Sequence, residues 1–262
     1  MFDFDDDLIY ALIKGVFDGT ITKNDLPEDL YHSIAGFLKK GLYKGFGGSL
    51  KDFDYGTSDF ELLAELRENI YMFSGAKTYQ QVREMTDALV DEDGNLRSFG
   101  KFKEEAEAIF ERYNKSWLET EYDTAIGQGQ NAAQWNDIEK TKELFPTITY
   151  HATEDENLCE ICGPMDGVTA PVDDPIWDTV YPSNHFNCRC FVEKNDKYDE
   201  IENTPDRDEI ADRIGDKMDD MFKMNPGKDR VIFNETHGYF DVEKGDKGFA
   251  KDNFDLPIPE KD

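Results

Sequence analysis

Cys159-Glu160-Ile161-Cys162, then 22 residues, then His185-Phe186-Asn187-Cys188-Arg189-Cys190: this stretch holds all four cysteines of the chain and one of its four histidines. Two thiols separated by two residues can reach one metal ion from a tight turn. The second cluster adds an imidazole and two more thiols. Four soft ligands around a tetrahedral ion describe a structural zinc site, with no open position for water. The spacing therefore predicts a clasp rather than a catalytic centre. Five candidates, Cys159, Cys162, His185, Cys188 and Cys190, compete for four positions. Cys159 and Cys162 form the first pair. His185 with Cys188, His185 with Cys190, or Cys188 with Cys190 completes the site. On a strand, Cys188 and Cys190 share one face, because side chains alternate with period two.

The competing reading of four cysteines is two disulfides in a secreted domain. The chain starts Met1-Phe2-Asp3-Phe4-Asp5-Asp6-Asp7, without the basic and apolar regions of a signal peptide, so secretion is not expected. A chain of 262 residues is also long enough to fold around an apolar core without staples. Its hydrophobic fraction is 38% and its aromatic fraction 13%. With 58 acidic against 29 basic side chains, the formal net charge is −29. Such a surface repels nucleic-acid phosphates, and no basic cluster offsets it, so general nucleic-acid binding is not expected. No apolar run is long enough to span a membrane.

Around the cysteine stretch the pattern predicts an α+β chain: a mainly helical N-terminal region, a small zinc-stabilised β-containing module, and a C-terminal helix with an extended arm. The expected divisions are 1–97, 98–195 and 196–262. Helices are expected over Asp7–Phe17, Pro27–Leu42, Asp59–Phe73, Thr78–Val90 and Ser98–Asp137. Gly127 and Gly129 would bend the last of these or allow close packing against it. Asp91 to Asn95 reads as a polar turn, since its glycine comes too early for a calcium loop. Thr147–Ala152, Gly167–Val172 and Cys190–Val192 read as strands. Asp206–Met224 has an apolar face of Ile210, Ile214, Met218, Met221 and Phe222. Arg230–Phe233 and Gly238–Val242 read as a hairpin or hook, and the residues from Glu243 as an extended arm.

Enzymatic chemistry has little support. The chain has no nucleophile elbow, phosphate loop or dinucleotide fingerprint. A zinc deaminase needs His-x-Glu upstream of Pro-Cys-x-x-Cys, whereas His151-Ala152-Thr153-Glu154 has the wrong spacing and no proline precedes Cys159. His-Glu-x-x-His is absent as well. His32 and His237 stand alone and read as ordinary structural residues. Arg189, between two candidate ligands, is expected to point away from them and to pair with Asp155 or Asp166.

The motifs in order are Tyr122-Asp123-Thr124-Ala125 on a helix and Thr147-Ile148-Thr149-Tyr150, followed by Cys159-x-x-Cys162 and Met165-Asp166-Gly167. Asp174-Pro175-Ile176-Trp177 and Tyr181-Pro182-Ser183-Asn184-His185-Phe186-Asn187-Cys188-Arg189-Cys190 complete them. This string, over about residues 100 to 195, resembles the Mu protein F-like domain of phage head morphogenesis (minor head) proteins. Tyr181-Pro182 departs from the proline pair often found there. The resemblance implies a non-enzymatic virion component near the portal vertex inside the head, present in the host cytoplasm during assembly. It implies the portal protein as partner, with the major capsid protein as a further candidate, and a role in DNA packaging or ejection. Some relatives carry a C-terminal toxin. An ADP-ribosyltransferase-like effector and a zinc-stabilised host interaction module are therefore the alternatives. The apolar anchors for a partner are expected around Leu8, Ile9, Leu12 and Phe17, or in the arm around Phe249, Phe254, Leu256 and Ile258.

Overall fold

The computed structural model describes residues 4–153, 160–199, 207–243 and 245–246. The fold is α+β, mostly helical with one three-stranded sheet. The chain divides into two compact units. The first comprises residues 1–40, 68–122 and 235–262, and the second residues 41–67 and 123–234.

Helix α1 (Asp6–Asp18) starts where the Asp5 carboxylate accepts the Asp7 N–H and stops at Gly19, whose φ of 74° an L side chain resists. Helix α2 (Glu28–Phe46) follows Pro27 and ends before Gly47, also left-handed. Helix α3 (Ser58–Asp87) is one element of 30 residues where the sequence predicted two. Residues 73–82 are buried without interruption, so packing on every side carries the helix through the polar stretch. The Ser74 and Thr78 hydroxyls donate back to the carbonyls of Ile70 and Ser74. The helix predicted over Ser98–Asp137 is α4 (Phe99–Glu111), a π turn (Arg112–Trp117) and α5 (Leu118–Thr141). The wide π turn buries the consecutive Tyr113 and Asn114, which a regular helix would fan apart.

In the first unit α1 packs on α4. Phe17 meets the rings of Phe99 and Phe102, and Phe4 meets Phe110. Lys77, fully buried, places its Nζ 2.7 Å from both carboxylate oxygens of Glu121. The Tyr239 hydroxyl donates to Glu121 at 2.9 Å, and Gln80 Nε2 donates to the carbonyls of Tyr239 and Asp241. Burial pushes the Lys77 ammonium pKa down, and Glu121 opposes that shift. The hairpin predicted from Arg230 to Val242 does not form. Instead Gly238–Phe240 is a single 3-10 turn, held by side chains of α3 rather than by a strand ladder.

In the second unit the sheet has the order β2-β1-β3, all antiparallel, with β1 (Thr147–His151) between β2 (Thr169–Pro171) and β3 (Phe191–Asn195). Ile148, Tyr150, Ala170 and Val192 face a core with Trp135, Trp177 and Tyr181. On the other face the Thr149 and Thr169 hydroxyls lie 2.7 Å apart, and Asn195 donates to Thr147 and Thr149. Both outer strands have a carbonyl covered by a side chain. Gln134 donates to the Val192 carbonyl and Trp177 to that of Pro171. The helix predicted over Asp206–Met224 is shorter, α6 (Arg207–Gly215), followed by a 3-10 turn at Asp220–Phe222. Its apolar residues still join the core: Ile214, Met218 and Phe222 are buried, and Ile210 and Met221 pack against them. A last short helix, α7 (Pro226–Asp229), opens against Trp135, with no room for a Cβ on Gly227. Asp91–Asn95 is a turn, closed by the Asp91 carboxylate accepting from the Asp93 and Asn95 amides. Among the described residues no helix is long and apolar enough to cross a membrane.

Glycines set the approach of α2 to α5. A Cβ on Gly45 would lie 2.0 Å from the Ile126 carbonyl oxygen, and one on Gly129 2.9 Å from that of Leu42. Helix propensity alone favours alanine over glycine by about 1 kcal/mol. Gly45→Ala is nevertheless expected to destabilise by about 3 kcal/mol, since rigid backbone must move. Gly36→Ala, in the same helix with nothing within 4 Å, is expected to stabilise by about 0.5–1 kcal/mol. Urea unfolding midpoints of the two variants check the opposite signs.

Candidate metal centre

The sheet topology brings the thiols together. Because β1 is central, the end of β1 and the starts of β2 and β3 lie at one end of the sheet, where His151 pairs with Phe191 and Thr149 with Thr169. Cys162 sits on the β1–β2 connection, just before the 3-10 turn Gly163–Met165. Gly167, at φ 76°, turns that connection back, and its N–H donates to the Tyr150 carbonyl at 2.9 Å. Cys188 and Cys190 lie on the lead into β3. The strand expected from Cys190 starts one residue later, at Phe191, so neither cysteine is on it, yet the sulfurs of both lie within 4.8 Å of that of Cys162.

The Sγ atoms of Cys162, Cys188 and Cys190 all lie within 4.8 Å of one another. Cys162 Sγ is 3.8 Å from Cys188 Sγ. Thiolates bound tetrahedrally at about 2.3 Å from a metal would stand about 3.8 Å apart, so the donor set fits such an ion. Cys162 is 1% exposed, and the other two are half-buried. The thiols share charge unequally. Cys188 is lowered to about 3 by hydrogen bonds from Cys162 and Cys190 and from the Asn184 and Cys190 amides. Cys162 is pushed up by its bond to Cys188, then by its bond to Cys190 and by burial. Three sulfurs this close together are the arrangement a cation would complete. Three soft sulfurs could hold a metal ion of the zinc, copper(I) or iron–sulfur kind.

Cys159 lies outside the described residues, as does Asp155. His185 is half-buried with Nδ1 2.7 Å from the Phe186 carbonyl oxygen, and it is not among the three residues that converge. Asp166 accepts the Ala152 N–H at 2.9 Å, while the Arg189 carbonyl accepts the Thr153 hydroxyl at 2.8 Å. Both bonds tie the end of β1 to the cysteine loops. Beside the centre, a cleft of about 510 Å³ runs between one face of α5 and residues 183–191. Asp123, Gly127, Asn131, Arg189 and Phe191 are among its lining, with Cys188 and Cys190 on the wall. Two polar residues against the sulfurs, Tyr150 and Asn184, were not singled out as site residues from sequence. Both lay inside the quoted motifs, and the inward phase of Tyr150 on β1 was the available signal.

A protein-family model described as Phage Mu protein F like protein matches residues 72–193. That span runs from the middle of α3 to β3 and contains Cys162, Cys188 and Cys190. Residues 72–193 are thus similar to the Mu protein F-like family, the same family that the motif string resembles. No curated protein and no solved structure matches the chain.

Proposed function

We propose that this protein is a structural minor head protein of a tailed phage, bound near the portal inside the head and acting in head morphogenesis and DNA packaging or ejection. The family match over residues 72–193 carries this reading. The cysteine centre serves it as a structural zinc site, with Cys162, Cys188 and Cys190 as three ligands and Cys159 or His185 as the fourth. Such a site locks both loops at one end of the sheet. It leaves no position for a reacting water once four ligands are in place, in keeping with a protein that is not an enzyme.

The net charge of −29 argues that the portal and neighbouring head proteins, rather than packaged DNA, hold the chain. Of the apolar anchors foreseen at the N-terminus, Leu12 is buried and Phe17 packs on α4. The arm around Phe249, Phe254, Leu256 and Ile258 lies outside the described residues and is the better candidate for partner contacts. Tagged protein recovered from infected cells should bring portal or capsid protein with it, read by mass spectrometry. Truncation after Asp246 keeps that side chain's bonds to Tyr79 and Lys23. It is expected to abolish incorporation into heads while duplex DNA binding stays negligible across salt. Tight, salt-sensitive DNA binding by the intact chain, or normal incorporation of the truncated one, would refute this assignment.

A further inference from the structure

Helices α1 and α4 pack on one another in the first unit, and a groove of about 780 Å³ runs between them at the surface. Each helix gives the groove one stripe. On α1, Asp6, Ile9, Tyr10 and Ile13 follow the spacing i, i+3, i+4, i+7. On α4, Glu104, Glu107, Ala108 and Glu111 repeat that spacing. Ile13 and Phe110, both buried, make the floor with the half-buried Ile9. Ala108 is exposed on the α4 wall, and its single methyl leaves the width that a longer side chain would take. The wall from Lys103 to Lys115 is about 18 Å long, or roughly three helical turns.

The rim carries more negative charge than the groove itself balances. Its two lysines are already engaged: Lys103 pairs with Glu107 at 3.4 Å and Lys115 with Glu111 at 2.8 Å. Asp6, Asp7 and Glu104 make no ion pair among the described residues, so three carboxylates in excess flank an apolar floor. A helix suits a furrow between two packed helices that is about three turns long, with an apolar stripe for the floor. Its flanks must be basic, because covering Asp6, Asp7 and Glu104 without a counter-charge costs more than the apolar contact returns. A second copy of this chain, at net charge −29, would bring like charges to the rim. We propose that the α1–α4 groove is a docking surface for a basic amphipathic helix of a partner protein. The partner's apolar side chains seat on Ile9, Ala108 and Phe110, and its lysines or arginines face Asp6, Asp7 and Glu104. The apolar floor supplies the affinity, and the rim carboxylates set approach and register. This surface is independent of the metal centre and of the family match.

The full chain is titrated with a fluorescent amidated peptide of about 14 residues, with leucines along one helical face and lysines along the other. Binding is read by anisotropy in dilute and in high salt. One control peptide keeps the lysines and replaces the leucines by serine. Another keeps the leucines and replaces the lysines by glutamate, and it is expected not to bind. Ala108→Trp fills the groove without changing its charge, and the exposed position spares the core. It is expected to weaken the leucine–lysine peptide about 10–100-fold at every salt concentration. Asp6→Asn with Glu104→Gln is expected to weaken it about 3–10-fold in dilute buffer and little in high salt. Glu92→Gln with Asp93→Asn makes the same change of charge outside the groove and is expected to have no effect. Equal binding of the serine–lysine peptide, or undiminished binding by Ala108→Trp, would reduce the interaction to general attraction by an acidic chain and overturn the proposal. Self-association that Ala108→Trp abolishes would give the groove to a second copy. Tighter peptide binding by a chain lacking residues 1–3 would give it to the chain's own N-terminus. Either result overturns the proposal as well.

Discussion

Cys188→Ser is expected to abolish stoichiometric metal binding and to open the loops at residues 160–190 to protease and hydrogen exchange. Cys188 Sγ stands 3.8 Å from Cys162 Sγ and within 4.8 Å of Cys190 Sγ, so it is one of the three converging donors. A serine oxygen is harder, sits closer to Cβ and ionises far less readily, so it replaces neither the charge nor the reach of the thiolate. Structural zinc contributes on the order of 10 kcal/mol in domains that are unfolded without it. Here the effect should be more local, because Trp135, Trp177 and Tyr181 build a core of their own beside the centre. Metal content by elemental analysis and exchange rates of the Cys162–Val168 amides, with and without chelator, give the readout. The same loss is expected for Cys159→Ser if that residue is the fourth ligand. Freshly purified native protein without zinc, or a Cys188→Ser chain with undiminished zinc and unchanged exchange, would defeat the assignment.

The second large effect is expected at Lys77. Its ammonium and the Glu121 carboxylate are both closed off from water, at 0% and 5% side-chain exposure. Lys77→Met keeps the length of the side chain and removes its charge, which leaves Glu121 buried with the Tyr239 hydroxyl as its side-chain donor among the described residues. Breaking a buried pair from one side costs about 3–5 kcal/mol, since the remaining charge is uncompensated. The lysine also stands over the rings of Tyr113 and Tyr239, at 5.6 and 5.1 Å from their centres. Combining Lys77→Met with Glu121→Leu is expected to recover most of the loss, because apolar packing replaces a desolvated pair at little net cost. Chemical denaturation of the two single variants and the double variant measures the coupling. Additive losses would mean that the two charges do not support one another.

The helical region was legible where one face is apolar. Asp7–Phe17 and Pro27–Leu42 carry clear periodicity and end at glycines, and the structure places α1 and α2 there. It was not legible in α3. Ser74, Lys77, Thr78, Gln80 and Gln81 look like a solvated break, yet all five are buried. Ser74 and Thr78 donate back within the helix, but Lys77 and Gln80 are satisfied by partners distant in sequence, Glu121 and the carbonyls of Tyr239 and Asp241, which no local pattern discloses. The mistaken hairpin after Arg230 has the same origin. Alternating aromatic residues suggested strands, while their real partners are side chains and rings of α3.

The sequence by itself determined the class of the chain, the domain resemblance and the identity of the candidate ligands. Those depend on residue type and spacing, which survive without coordinates: thiols separated by two residues, period-two strands, glycines at helix ends. Only the tertiary structure decided which thiols converge and what stands behind them. Cys162 and Cys188 are 26 residues apart along the chain, and their 3.8 Å approach follows from a sheet whose central strand carries both connections at one end. Tyr150 and Asn184 meet for the same reason. Proximity of this kind is set by the register of β1 against β2 and β3 and by the burial of one sheet face, a cooperative property of the packed chain rather than of any stretch within it.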